Sequence, residues 1–301
     1  MKILTILAIF FVTLFGLDIR AANYKGKVKF IKQIELKADF KDTPFSEISG
    51  LAYDKSRNLL YMISDEGILY KFKANFSSRD FKLTPLESTY FKRRNGKPLK
   101  RWKRDTEGIA LDNSNRVYVS REGKPRVTLF NKDGVKIKNL KLPKALKNAK
   151  LRSKNKSLES LAFHPKYGLI TALEWPPKGR QLRFQTIYSL KGKKWHFKME
   201  DYKKNGISDI EVMDDGNILV LERAYNGFFG KFVVTLKKVY INSCKSKFCP
   251  SEVLLKIDSA KGWHVENFEG LTRVGKNRYL IVSDDNNNFF QQTILLYVEL
   301  K

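Results

Sequence analysis

The sequence predicts an all-β protein, a single β-propeller of five blades, with six as the alternative count. Three observations predict it. A segment of one pattern recurs every 50 to 60 residues, the spacing of propeller blades. Each copy reads as two short apolar strands flanking a turn of Asp, Asn, Gly, Ser or Pro type. Long amphipathic helix patterns are not evident.

The five copies are "ISGLAYDKSRNLLYMISDEG", "TEGIALDNSNRVYVSREG", "LESLAFHPKYGLITALEW", "SDIEVMDDGNILVLERA" and "FEGLTRVGKNRYLIVSDDN". Their leading polar residues align as Ser49, Glu107, Glu159, Asp209 and Glu269, at spacings of 58, 52, 50 and 60. Each hairpin can be checked by its midpoint. Ser49 to Ser64, Glu107 to Glu122, Glu159 to Glu174 and Glu269 to Asp284 each span 15 residues, and Asp209 to Glu222 spans 13. Every midpoint falls in a turn-forming stretch. Residues equidistant from a turn face each other across the ladder, so each pair closes the open end of its hairpin.

Two further β-rich runs follow each hairpin except the last, where "TILLYVEL" ends the chain. The N-terminal "GKVKFIKQIELK" has no partner of its own. It is expected to complete the fifth blade and so remove an exposed sheet edge. A sixth, degenerate blade would have to lie within residues 240–266.

Before the first blade, residues 1–21 read as a signal peptide. Lys2 forms a short positive start, Ile3 to Leu17 an apolar stretch, and Ala21 and Ala22 a small-residue cleavage site. The apolar run is too short for a helix of roughly 20 residues to span a bilayer. The propeller domain is therefore expected over residues 22–301, in the periplasm or secreted. Cys244 and Cys249, in "CKSKFC", then close a small loop by a disulfide rather than hold a metal.

The first strand of each blade lines a propeller's channel. Ser49, Glu107, Glu159, Asp209 and Glu269 are thus expected to converge on the axis. Converging carboxylates repel and must take up protons or bind a cation. Hard oxygen donors in a chain with only three histidines favour Ca²⁺ over zinc or copper. The alternative is that these acids cap strand ends on neighbouring backbone N–H groups. A second set, Asp65, Glu122, Glu174, Glu222 and Asp284, is expected one strand further out, as outer supports or as partners of Arg121 and Arg223.

The chain carries 58 Lys and Arg against 31 Asp and Glu, a formal charge of +27. Without residues 1–21, which hold Lys2, Arg20 and Asp18, it is +26 (27 − 1). Basic segments lead into the first strands, the densest being "FKRRNGKPLKRWKR". The expected picture is an acidic, cation-filled eye inside a basic rim. Arg93, Arg94, Arg101, Lys103 and Arg104 would gather an anionic partner, a phosphate ester or an anionic polymer. Charge alone points to no specific nucleic-acid partner. A nucleophile elbow, a P-loop and a dinucleotide fingerprint are all missing. Of the histidines, only His264 lies near a ring acid in sequence.

The motifs "SEISGLAYD", "RDTEGIALD", "SLESLAF" and "NFEGLTRVGKNRYLIVSDDN" resemble the phytase-like propeller family, described as "esterase-like activity of phytase". The resemblance spans residues 26–301. It implies an exported propeller acting on phosphate esters. The ring is also similar to that of calcium-activated nucleotidases, in which one Ser or Glu from each of five blades meets an axial calcium. Ser49, Glu107, Glu159 and Glu269 match that pattern. Asp209 departs from it in type and in hairpin length, and Ser208 beside it could substitute. The resulting expectation is a calcium-dependent phosphoric-ester hydrolase, with Glu122 or Glu174 as catalytic base. A non-enzymatic binding propeller and a lactonase-type propeller are the alternatives.

Overall fold

The computed structural model describes residues 26–153, 156–225, 232–261, 265–288 and 291–301. The leader expected over residues 1–21 lies outside them, as does His264.

The chain enters through β1 (Val28–Glu35) and then builds four-stranded antiparallel sheets in sequence order. The first is β2 (Ile48–Asp54), β3 (Leu59–Ser64), β4 (Ile68–Phe76) and β5 (Phe81–Tyr90). The second is β6 (Thr106–Leu111), β7 (Val117–Arg121), β8 (Arg126–Phe130) and β9 (Lys136–Asn139). The third is β10 (Ala162–His164), β11 (Gly168–Ala172), β12 (Phe184–Ser189) and β13 (Lys194–Lys198). The fourth is β14 (Asn205–Val212), β15 (Ile218–Tyr225), β16 (Phe232–Val239) and β17 (Ser251–Asp258). The fifth is β18 (Asn267–Gly275), β19 (Arg278–Asp284) and β20 (Ile294–Leu300), with β1 as its outer strand. The described residues thus hold five blades, and residues 240–266 supply β17 and short turns rather than a sixth. Val28 pairs with Leu300 and Glu35 with Ile294, so the N-terminal strand closes the ring as its pattern predicts.

The ring is held by side chains that alternate between two neighbours. Leu60 and Met62 of β3 pack towards the fifth blade, while Tyr61 and Ile63 pack towards the second. β15 and β19 divide their apolar residues in the same way, Tyr279 and Ile281 going to the fourth blade and Leu280 and Val282 to the first. Five apolar clusters result, one at each blade interface. This is why the middle strands read as continuous apolar runs: both of their faces are buried.

The innermost strands β2, β6, β10, β14 and β18 touch one another around the axis. Their approach is close enough to demand glycine. A Cβ on Gly50 would lie 2.6 Å from the Glu107 carbonyl oxygen, and one on Gly108 would lie 2.4 Å from the Leu161 nitrogen. The segment between β16 and β17 carries the Cys244–Cys249 disulfide. It is tied to the third blade by the Cys249 N–H, which donates to the His196 carbonyl at 2.7 Å.

Candidate active site

A bulge near the start of each first strand sets the site. In β2 the pairing shifts between Ile48 and Gly50, so Ser49 is the extra residue. The shift lies between Thr106 and Ile109 in β6, between Ile207 and Asp209 in β14, and between Phe268 and Gly270 in β18. In the third blade Leu158 bridges Leu173 ahead of β10. These registers align Ser49, Glu107, Glu159, Ser208 and Glu269 as the ring position. The partner strand places Asp65, Glu122, Glu174, Arg223 and Asp284 beside them.

The fourth blade therefore differs from the sequence alignment by one residue in each strand. Ser208 and Arg223, 15 residues apart, take the places expected for Asp209 and Glu222. Asp209 sits where Gly50, Gly108 and Gly270 sit in other blades. Its carboxylate accepts the N–H of Leu271 in the next blade and of Ile210, both at 2.8 Å. It pins two blades together. Glu222 lies on the other side of its strand, 3.0 Å from the buried Lys237 ammonium and accepting from Asn205 at 2.9 Å. Ser49 also spends its hydroxyl on a neighbour, donating to the Thr106 carbonyl at 2.7 Å.

Four other expected residues do come together. Single carboxylate oxygens of Glu122, Glu159 and Glu174 lie within 4.8 Å of one another, and so do those of Asp105, Glu107 and Glu122. Glu122 belongs to both groups. All are buried except Asp105, which is half-buried. The remaining ring acid, Glu269, is held by the Arg223 guanidinium and by Asn267 Nδ2 at 2.9 Å. Arg223 also lies 3.9 Å from Glu174, and the Lys156 ammonium lies 2.6 Å from it.

Burial dominates the titration of this cluster. It drives Glu107, Glu159 and Asp65 well above the usual carboxylate range, and the acids around each add to the shift. Glu122 is pushed up to about 7 by burial, against the pull of the Ser157 N–H that it accepts. Asp284 is pushed up to about 8 by burial and by Glu269. Glu174 is raised by burial and pulled back by Arg223 and Lys156.

A sequence profile described as "Esterase-like activity of phytase" matches residues 43–287. This chain belongs to the phytase-like family. No curated protein sequence matches the phytase-like chain. Solved structures that are similar to it include a catalytically inactive virginiamycin B lyase from Staphylococcus aureus with quinupristin. The identity is 9% and the TM-score 0.44, over 86% of this chain and 68% of that one. A streptogramin B lyase is similar at 7% identity and a TM-score of 0.40, over 91% of this chain and 98% of that one. Neither bears on the chemistry of the phytase-like site.

The donor set of this phytase-like centre suits a hard divalent cation. It is all oxygen, carboxylates outnumber the two cations among them, and a buried oxygen of Asp65 has no hydrogen-bond partner among the described residues. The Ser208 hydroxyl is buried and likewise unpartnered. Sequence reasoning missed Asp105 and Lys156. Asp105 could have been found, since it stands two residues before Glu107. Lys156 is set by how the segment before Glu159 folds back, which no local pattern reports.

The basic rim divides in two. Arg93, Arg94 and Lys103 line one cavity of about 430 Å³ in the second blade. Arg101 and Arg104 instead face Glu66, at 3.8 and 3.5 Å, and Arg104 stacks on the Tyr90 ring.

Proposed function

We propose that this phytase-like propeller is an exported, Ca²⁺-dependent hydrolase of anionic organic phosphates, working at the carboxylate centre around Glu122. The observation that carries this reading is the pair of overlapping carboxylate groups sharing Glu122, buried where like charges repel. Asp105, Glu107, Glu159 and Glu174 would hold the cation. Bound there, a divalent ion supplies Lewis-acid polarisation and charge neutralisation to a phosphoryl group.

The chain's own residues supply the rest. Glu122, with its carboxyl near neutrality, can accept a proton from an attacking water at pH 7 to 8. The Ser157 N–H, donating at 2.5 Å, fixes the orientation of that carboxylate. Lys156 and Arg223 hold Glu174 in place and keep part of the negative charge balanced. The basic rim of Arg93, Arg94, Arg101, Lys103 and Arg104 raises the local concentration of an anionic substrate. Export is supported by the leader-like residues 1–21 and by the disulfide, a bond that persists in oxidising compartments. No helix among the described residues is long and apolar enough to cross a membrane.

The test is phosphate release from a panel of organic phosphates, with and without chelator, by the wild type and by Glu122→Gln. Release that chelator abolishes, and that falls at least 100-fold in Glu122→Gln, is expected from loss of a general base. Release that survives both treatments would overturn the reading. A second reading has one observation in its favour: Arg223 occupies the fourth blade's place and compensates Glu269 and Glu174 internally. A non-enzymatic propeller that binds an anion predicts saturable anion binding without turnover. Lactone opening without phosphate release would point to the lactonase-type alternative.

A further inference from the structure

Three cationic side chains among the described residues are almost fully buried: Lys71, Lys237 and Arg121, at 7%, 2% and 4% exposure. Lys71 lies 2.5 Å from Glu87, and Lys237 lies 2.9 and 3.0 Å from Glu200 and Glu222. Arg121 has no carboxylate partner among the described residues. It occupies in the second blade the register place that Glu222 holds in the fourth, each being the strand residue opposite the start of the bulge. There the buried charge is neutralised; here it is not. A buried charge left uncompensated is costly, and folds rarely keep one without a use.

The guanidinium of Arg121 is fixed in place. Nη1 donates to the Lys103 carbonyl at 2.9 Å and Nη2 to the Thr128 hydroxyl at 3.0 Å. Its Nε is buried with no acceptor among the described residues, and so is that of Arg93. Both line the same cavity, with Arg94, Lys103, Arg126, Lys136, Leu99 and Asn139. Six of these eight residues are cations and none is acidic. Arg94 is also anchored, its Nε donating to the Ile137 carbonyl at 2.9 Å. Burial and the surrounding cations lower Lys136, as expected where like charges crowd.

We propose that this cavity is a binding site for a tetrahedral oxyanion, a phosphate or sulfate group, separate from the carboxylate centre. Planar guanidinium forks suit oxyanion recognition by charge-assisted hydrogen bonds. The orphan Nε–H groups of Arg93 and Arg121 are donors awaiting an acceptor. A volume of about 430 Å³ admits one or two such groups in a small molecule. The site stands whether or not the carboxylate centre holds a metal or turns over substrate.

The experiment is isothermal titration of the full mature chain, in chelator and at low salt, with pyrophosphate, orthophosphate and sulfate as probes. Saturable binding of one pyrophosphate per chain is expected. Sulfate binding as tightly as orthophosphate would assign the site to oxyanions in general; a preference for orthophosphate would assign it to phosphate. Arg94→Ala with Lys136→Ala, neither of them buried, should weaken pyrophosphate at least tenfold with an unchanged melting temperature. Lys193→Ala with Lys194→Ala, exposed on the third blade, should leave it unaltered, and so should Glu159→Gln. Unsaturable binding, or equal weakening by both lysine-containing pairs, would show a general charge effect and sink the proposal. Loss of hydrolysis without loss of this binding would count against the carboxylate-centre reading alone.

Discussion

At Gly108 a hydrogen is all that fits. A Cβ there would lie 2.4 Å from the Leu161 nitrogen and 2.6 Å from the Ser160 carbonyl carbon, both backbone atoms that cannot turn aside. Gly108→Ala should therefore cost about 1–3 kcal/mol, the range for overpacking, read from denaturant unfolding. A shift below 0.5 kcal/mol would mean that β6 and β10 slide apart more easily than the contact implies. Asp209 stands at the equivalent place in the fourth blade and makes the same inter-blade contact through its carboxylate. Asp209→Ala leaves the Leu271 N–H buried without that partner, at a cost of about 1–3 kcal/mol. It should leave calcium content unchanged. Glu159→Gln should do the reverse: it removes a donor at the carboxylate centre and relieves repulsion, so metal content falls while the chelated protein melts higher. Calcium analysis and melting curves on the two variants separate a blade pin from a cation ligand. If Asp209→Ala loses its calcium, the assignment of Ser208 to the ring is wrong.

At the scale of elements, the strands were legible because each obeys one rule. The middle strands feed two cores at once, so Leu60 to Ile63 or Tyr279 to Val282 cannot be mistaken for surface segments. The closing role of β1 was legible from an odd count of strands. The fourth blade was misaligned because a bulge is a backbone event. "SDIE" offers an acid one place after the residue that bulges, and composition cannot report a one-residue shift in pairing. The same slip concealed Arg223, which the corrected register puts among the acids. The carboxylate cluster itself was legible in part: Glu107, Glu122, Glu159 and Glu174 could be named, but their convergence across two strands of two blades could not. β1 supports a prediction of its own. A chain beginning at residue 37 leaves β20 as an open edge, with Leu296, Val298 and Leu300 stripped of their partner strand. It should lose cooperative unfolding and associate through that edge, visible as a broad melt and high-mass species on size exclusion. A monomer with a sharp melt would show that closure of the fifth blade contributes little.

For the whole molecule, the carboxylate centre ties stability to both pH and metal. Glu122 rises from 4.5 to about 7 and Asp284 from 3.8 to about 8, in each case chiefly through burial. A carboxyl raised on folding binds its proton more tightly in the native state than in the unfolded chain. Between the two values the native state holds more protons, so stability falls as pH rises. The chelated protein should therefore be most stable near pH 4 to 5 at this centre and lose stability steadily up to about pH 8. Other acids work in the opposite direction: Asp54, Asp112 and Asp215 are lowered by hydrogen bonds and partner cations despite partial burial, and they contribute stability above pH 4 that is lost in acid. Those three are satisfied well below pH 5, which leaves the window from pH 5 to 8 to the buried cluster. A cation held by the same oxygens replaces the protons and should flatten the slope. At 100 times its dissociation constant it adds about 2.7 kcal/mol, the largest visible effect falling at pH 8. Melting temperatures from pH 5 to 8, with chelator and with calcium, test this directly. Parallel curves in the two conditions would mean that no cation enters the cluster, and the hydrolytic reading would go with it.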